Sequence, residues 1–198
     1  YPLVLIDQNI QIIQQTSVGT DNALAVSQGL SYISSQGHKN VGILLPTIDN
    51  SVLQERCDAV FQYSAITGFP LKQELWLKDL GHSSEIVSEE SIDRIALHLT
   101  EHPEITALFA FQYPLAVAAD QAARRIRRTT GKDLSILCFD SPLPLFGRPQ
   151  FTHLHQDEAA IGEKAVELLL ELISHPVQAP QNVKIPAKLV EGESFFAL

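Results

Sequence analysis

Methionine is absent from the 198 residues, and cysteine (two) and tryptophan (one) are nearly so. Without a methionine there is no native start, so the chain is expected to be a fragment of a longer protein. Cys57 falls in a helical stripe and Cys138 in an apolar strand, settings in which a thiol behaves as a small hydrophobe. Two such residues make no disulfide framework and fit a reducing compartment, so a cytoplasmic location is expected. Long apolar runs are missing too. None approaches the roughly 18 to 20 residues of a membrane span, and residues 1–7 lack the basic flank of a secretory signal, so no membrane partner is expected.

Positive charge is also scarce. Fourteen Lys and Arg stand against 23 Asp and Glu, a net charge of −9, whereas nucleic-acid binders concentrate cations to displace counterions from phosphates. The segment is therefore not expected to touch DNA by itself. Arg124, Arg125, Arg127 and Arg128 form the one basic cluster; at the C-terminal end of a predicted helix they meet the negative end of its dipole and read as a solvated face. No glycine-rich phosphate loop and no Gly-x-Ser-x-Gly elbow occurs. An enzyme is not expected, nor is a cofactor.

What is present is a repeating grammar. An apolar run at 107–111 is followed by a helical run at 114–129, the breaker Gly131, and a second apolar run at 135–139 ending on Asp140. Short apolar runs separated by helices are the signature of a mainly parallel sheet covered by helices on both faces, and the fold class is α/β. Ligands of such sheets bind beyond the carboxyl ends of the strands. Gln112, Tyr113 and Asp140 sit there.

The pattern holds earlier in the chain. Residues 17–19 read as a strand end; Thr20 or Asp21 can cap a helix with Ala23, Val26, Leu30 and Ile33 on one face, and Gly37 stops it. Residues 41–45 form a buried strand. A helix at 52–67 carries Leu53, Cys57, Val60, Phe61 and Ser64 as its inward stripe and ends at Gly68. A strand is expected at 75–77, a Gly/Ser loop at 81–84, and a helix at 89–102 with Ile92, Ile95, Ala96 and Leu99 inward.

Residues 1–7 are an apolar strand ending on Asp7, followed by a glutamine-rich polar stretch, 8–15. After a proline-rich turn at 141–149, an alternating strand at 151–156 leads to a long helix at 158–174, with Ile161, Ala165, Leu168, Leu169 and Leu172 buried. Proline confines the last strands, 183–185 and 188–191, to edges. At 45% hydrophobic and 19% charged residues, the chain suits one substantial domain or two unequal ones sharing a hinge.

His153, His155 and Asp157 invite a metal reading, since alternation along a strand puts both histidines on one face. The rival is a polar strand crossing near the hinge; Glu158 stands where hydrolases of the metallo-β-lactamase type carry another histidine, and no second ligand cluster appears, so no metal is assigned. His38, His82, His98 and His102 read as surface or cap residues.

Residues 2–7 (Pro-Leu-Val-Leu-Ile-Asp), 18–22 (Val-Gly-Thr-Asp-Asn), 36–46 (Gln-Gly-His-Lys-Asn-Val-Gly-Ile-Leu-Leu-Pro), Glu55-Arg56, 106–110, 133–136 with Phe139-Asp140, and Gln156-Asp157 occur in an order and spacing that together resemble the effector-binding domain of the LacI/GalR family of bacterial transcriptional regulators. That domain also occurs fused to GntR-type DNA-binding heads. The resemblance implies a fold like a type I periplasmic binding protein, with two α/β subdomains clamping a ligand in their cleft. Residues 1–19 would be the end of a partial N-terminal subdomain, 20–149 a largely complete C-terminal one, and 150–198 the crossover strand, long helix and final strands, with 151–174 crossing back to the first subdomain.

The resemblance places ligand-binding positions at Asp7, Arg56, Gln112, Tyr113 and Asp140. Carboxylates accept hydroxyl hydrogen bonds and arginine presents a rigid fork of donors, so a sugar or sugar phosphate suits the set. Where the family usually has Asn-Asp after the strand, this chain has Gln112-Tyr113, and the second common aspartate is Ser141. The partners implied are a small-molecule effector, a second copy in a homodimer, and DNA reached only through a separate N-terminal head. A solute-binding protein of a sugar importer, sharing the fold and the cleft, is the alternative.

Overall fold

Short apolar runs alternate with helices along the whole chain of the computed structural model, which describes residues 1–8, 15–47, 50–81, 88–175 and 178–198. The stretch 9–14, His82 with its neighbours 83–84, and Pro176 lie outside the described residues. The first half runs β1 (Val4–Ile6), β2 (Thr16–Thr20), α1 (Asn22–Ser35), β3 (Val41–Leu44), α2 (Ser51–Thr67) and α3 (Glu89–Glu101). The second runs β4 (Ala107–Ala110), α4 (Tyr113–Arg125), β5 (Ser135–Phe139), β6 (Thr152–His155), α5 (Glu158–Ser174), β7 (Asn182–Ile185) and β8 (Lys188–Val190).

These strands make two sheets. The first has the order β1-β2-β7, all parallel; the second has the order β3-β4-β5-β6-β8, parallel except for the β6–β8 pair. The chain is α/β, with helices on both faces of the larger sheet. Both proline-flanked final strands lie at edges, as their missing donors require.

Side-chain alternation along β4 and β5 divides the core. Leu108, Ala110, Ile136 and Cys138 face α3 and α4, whose Ile92, Ile95, Leu99, Ala119 and Ala123 are buried against them. Phe109, Phe111, Leu137 and Phe139 face the other way, against Val26, Leu30 and Ile33 of α1 and Ala59 and Val60 of α2. The first sheet has a smaller core, in which Val18 meets Ile161, Ala165 and Leu168 of α5. The outer side of α5 leaves Val166, Leu170 and Ile173 more than half exposed.

Among the described residues the chain passes between the sheets three times: at Asp21 between β2 and α1, at Gln156–Asp157 between β6 and α5, and at 186–187 between β7 and β8. The second crossing falls later than the expected 151, because β6 stays hydrogen-bonded to β5. Each helix start is secured by a side-chain cap, Asp21 for α1, Asn50 for α2, Ser88 for α3 and Asp157 for α5, except α4, which has proline at its start instead. Gly68, at φ 72°, closes α2 in the left-handed region.

Several local expectations fail for identifiable reasons. α2 buries Val60 and partly buries Leu53, Cys57 and Ser64 of the expected stripe, but it adds Arg56 and Ala59 to the buried face and leaves Phe61 41% exposed. Where a strand is expected at 75–77, a 3-10 turn at Gln73–Leu75 is followed by a single bridge, Leu77 to Leu44. β6 is buried on both sides instead of alternating, since it lies inside the sheet. α4 ends at Arg125, and Leu169 and Leu172 are only half-buried. No helix among the described residues is long and apolar enough to cross a membrane.

Two histidines expected at the surface are buried. The His38 ring donates from Nε2 to the Phe196 carbonyl (3.0 Å) and accepts the Thr106 hydroxyl at Nδ1 (2.9 Å), between the rings of Phe195 and Phe196. His98 donates to the Leu75 carbonyl (3.0 Å), while His102 caps α3. The basic cluster is also more structural than expected. Arg128 donates to the carbonyls of Ile105 (2.6 Å) and Asp133 (2.7 Å), and Arg125 pairs with Glu89 and Asp93.

Candidate functional site

Strand ends of the two sheets face each other across the crossings. Asp7 directly follows β1 and Asp140 directly follows β5, and both aspartates take a left-handed backbone, φ 48° and 55°. Aspartate tolerates this conformation better than branched or bulky residues do, and strain of this kind collects at functional sites. The Asp7 carboxylate accepts the Thr20 N–H at the end of β2 (3.0 Å). Gly19 makes that approach possible, because a Cβ there would lie 2.7 Å from Asp7 Oδ1.

Arg56 is the centre of the arrangement. Only 5% exposed, it stacks its guanidinium 3.4 Å from the centre of the Phe139 ring. Nε donates to Asn22 Oδ1 (2.8 Å), Nη1 to the Phe111 carbonyl (2.8 Å) and Nη2 to Gln156 Oε1 (3.1 Å). Burial pulls its pKa down to about 10, against the opposing pull of Asp140, Asp7 and Glu55, so the group is charged at neutral pH. Three of its five donors are thus fixed by protein acceptors, which orients the head.

Gln156, at the carboxyl end of β6, joins the pieces. Its Oε1 accepts from Arg56 and from the Thr20 hydroxyl (2.7 Å), while its backbone N–H and Nε2 donate to the two oxygens of Asp140 (3.0 and 2.5 Å). Gln112 caps α4 without committing its side chain to the helix, and Tyr113, half-buried, meets the Phe151 ring edge-on at 6.0 Å.

All five residues singled out from the sequence line one cavity of about 410 Å³: Asp7, Arg56, Gln112, Tyr113 and Asp140, with Gln156 and Phe139 beside them. Ser141 is buried and does not line it. The residues missed from sequence are Gln156, Thr20 and Asn22. Gln156 had a readable signal, since it directly follows a strand at its carboxyl end; Asn22 had none, because only the fold brings it to Arg56.

The His153–Asp157 string serves the fold. His153 is buried and donates from Nδ1 to the Phe151 carbonyl (2.9 Å), and Asp157 caps α5 at Ala160 N (3.1 Å). Among the described residues no group of three or more His, Cys, Asp or Glu could hold a metal ion. Neither cysteine forms a disulfide; burial raises the Cys138 thiol pKa far above its usual value, which leaves it protonated and inert.

Comparison with known proteins places the fold. Residues 30–195 match the model of the periplasmic binding protein-like domain. The transcriptional regulator MalR of Streptomyces coelicolor is 27% identical over 98% of this chain and 56% of its own length. The ribose operon repressor of Haemophilus influenzae is 25% identical over 100% of the chain and 58% of its own length. The chain thus spans about half the length of these curated relatives, which are transcriptional regulators, not enzymes.

Two solved structures have the same fold. A LacI-family regulator from Enterococcus faecium with bound ribose superposes with a TM-score of 0.81 at 19% identity, covering 100% of this chain and 72% of that one. A LacI-family regulatory protein from Chloroflexus aggregans gives 0.82 at 22% identity, covering 98% and 69%. The chain belongs to the periplasmic binding protein-like domain family, whose model matches residues 30–195.

Proposed function

We propose that this domain binds a small metabolite, a sugar or sugar derivative, between its two sheets and so controls DNA binding by a separate N-terminal head. The observation that carries the reading is the convergence of Asp7, Arg56, Gln112, Tyr113 and Asp140, from both sheets, on one cavity. Its chemistry suits a polyol. Two carboxylates accept hydroxyl hydrogen bonds, and the oriented arginine, the Gln112 amide and the Tyr113 hydroxyl supply donors. Tyr113 also adds an aromatic edge where the family usually has a carboxylate, so the effector differs from those read by an Asn-Asp pair.

The mechanism is closure of the cleft. An effector touching both sheets binds the closed arrangement more tightly and shifts the population by that difference. The domain acts as a cytoplasmic homodimer, so that paired heads match a two-fold operator. An importer's solute-binding protein would use the same cleft, but the regulator names of the relatives favour the sensor.

A thermal-shift screen of sugars and sugar phosphates on the full-length protein tests the reading. A stabilising sugar whose effect disappears in Arg56→Gln and Asp140→Asn supports it. Stabilisation that survives both substitutions, or by none of the compounds, refutes it.

A further inference from the structure

Arg56 and Glu55 are neighbours on α2 but face different partners. Arg56 faces the cleft floor, whereas Glu55 reaches the first sheet, where Lys184 of β7 donates to both its carboxylate oxygens (3.0 and 2.8 Å). Between the two lies Asn22, the first residue of α1, only 2% exposed. Its Nδ2 donates to Glu55 Oε2 (3.1 Å) and its Oδ1 accepts from Arg56 Nε (2.8 Å). Since carboxylate only accepts and guanidinium only donates, the amide can face just one way.

We propose that the Glu55–Lys184 pair ties the two lobes together and, through Asn22, positions Arg56 in the cleft. The pair joins an element of the first sheet to a helix packed on the second, so relative movement of the lobes must stretch it. It sits beside two crossings, since Asn22 follows the Asp21 crossing and Lys184 precedes the one at 186–187. The same crossings are stitched by the Asp21 N–H, which donates to the Ile185 carbonyl (2.8 Å). Both charged side chains are about one-third exposed, 34% for Lys184 and 32% for Glu55. The tie is therefore accessible to salt and weak enough to exchange, as a controllable contact needs to be.

Glu55 is thus a positioning residue: it does not line the cavity, and it acts on Arg56 through one buried amide and through its nearby charge. A change in lobe angle that moves Lys184 is transmitted to the arginine head, and a ligand that pulls on the arginine is felt at the tie. The consequence for ligand control rests on the effector-site reading above, but the tie itself does not.

Hydrogen–deuterium exchange on the ligand-free full-length protein tests it. Lys184→Met should speed exchange at 182–188 by about two- to fivefold, the range expected for losing a partly exposed ion pair. Residues 105–111 and 135–139 should be unchanged. Glu55→Ala, which also strips Asn22 of its acceptor, should extend the effect to 20–24 and 50–58. Lys184→Arg should restore the wild-type pattern, and salt at about 1 M should make the wild type resemble Lys184→Met.

Unchanged exchange in Lys184→Met would overturn the proposal. So would equal exchange in Lys184→Arg and Lys184→Met, or acceleration spread evenly through the second sheet. Because no ligand is added, a failed sugar screen leaves this result standing.

Discussion

The two sheets handle burial differently. Among the described residues, the second has five strands with a separate apolar cluster on each face; the first has three strands, one covering helix and a core of four buried apolar residues. Hydrophobic stabilisation scales with apolar area removed from water, so most of the cohesion lies in the second sheet. The cleft residues sit where the two meet. A rigid half therefore presents Arg56, Gln112, Tyr113, Asp140 and Gln156, and a less cohesive half presents Asp7. In a sensor that works by closure, that asymmetry lets one side move while the other keeps the arginine aligned.

The largest expected effect comes from breaking the stronger side. Phe109→Ala empties a fully buried position stacked on Phe139 and should cost about 3–5 kcal/mol in denaturant unfolding, with loss of protection throughout the second sheet. The matching change in the weaker side, Leu168→Ala, should cost about 2 kcal/mol, near the low end for such truncations, and raise exchange only in β1, β2 and α5. Equal, global effects would erase the distinction between the lobes.

Next is Arg56→Met, which keeps the stem over Phe139 but leaves Asn22 Oδ1 and the Phe111 carbonyl without their donor. A stability loss of about 3 kcal/mol is expected, with loss of sugar binding. Asp157→Ala removes the cap of α5 at a crossing and should cost about 1 kcal/mol, confined to the first lobe.

The smallest effect is in pH. Burial lowers the pKa of His38 and of His153 below the ordinary 6.5, so the folded chain resists protonation that the unfolded chain accepts. Their stabilising contribution is full above pH 6.5 and is lost as pH falls below it. A His38→Gln variant should flatten this slope in a melting series taken across that range. Because His153 lies in β6 and His38, in the loop before β3, is held by Thr106 next to β4, the slope belongs to the second lobe.

Much of this was legible in the sequence for physical reasons. The α/β order followed from apolar runs punctuated by Gly37, Gly68 and Gly131, and α5 matched its expected limits because Asp157 caps it and a strong apolar stripe follows. Strand ends pointed to Asp7, Gln112, Tyr113 and Asp140. What stayed hidden was long-range. Nothing local marks His38 or His98 as buried, since each is satisfied by a carbonyl far along the chain, Phe196 or Leu75. The burial of Arg56 on α2 was missed because an arginine, here supported by Asn22, Gln156 and Phe139, reads as polar in any one-dimensional pattern.

The convergence of strand-end side chains on one ligand is tested most directly by NMR shift mapping. Full-length protein would be titrated with the sugar that stabilises it most in a panel including ribose and cellobiose. Shifts centred on Asp7, Arg56, Gln112, Tyr113, Asp140 and Gln156 are predicted. Shifts elsewhere with those six unmoved would contradict the account.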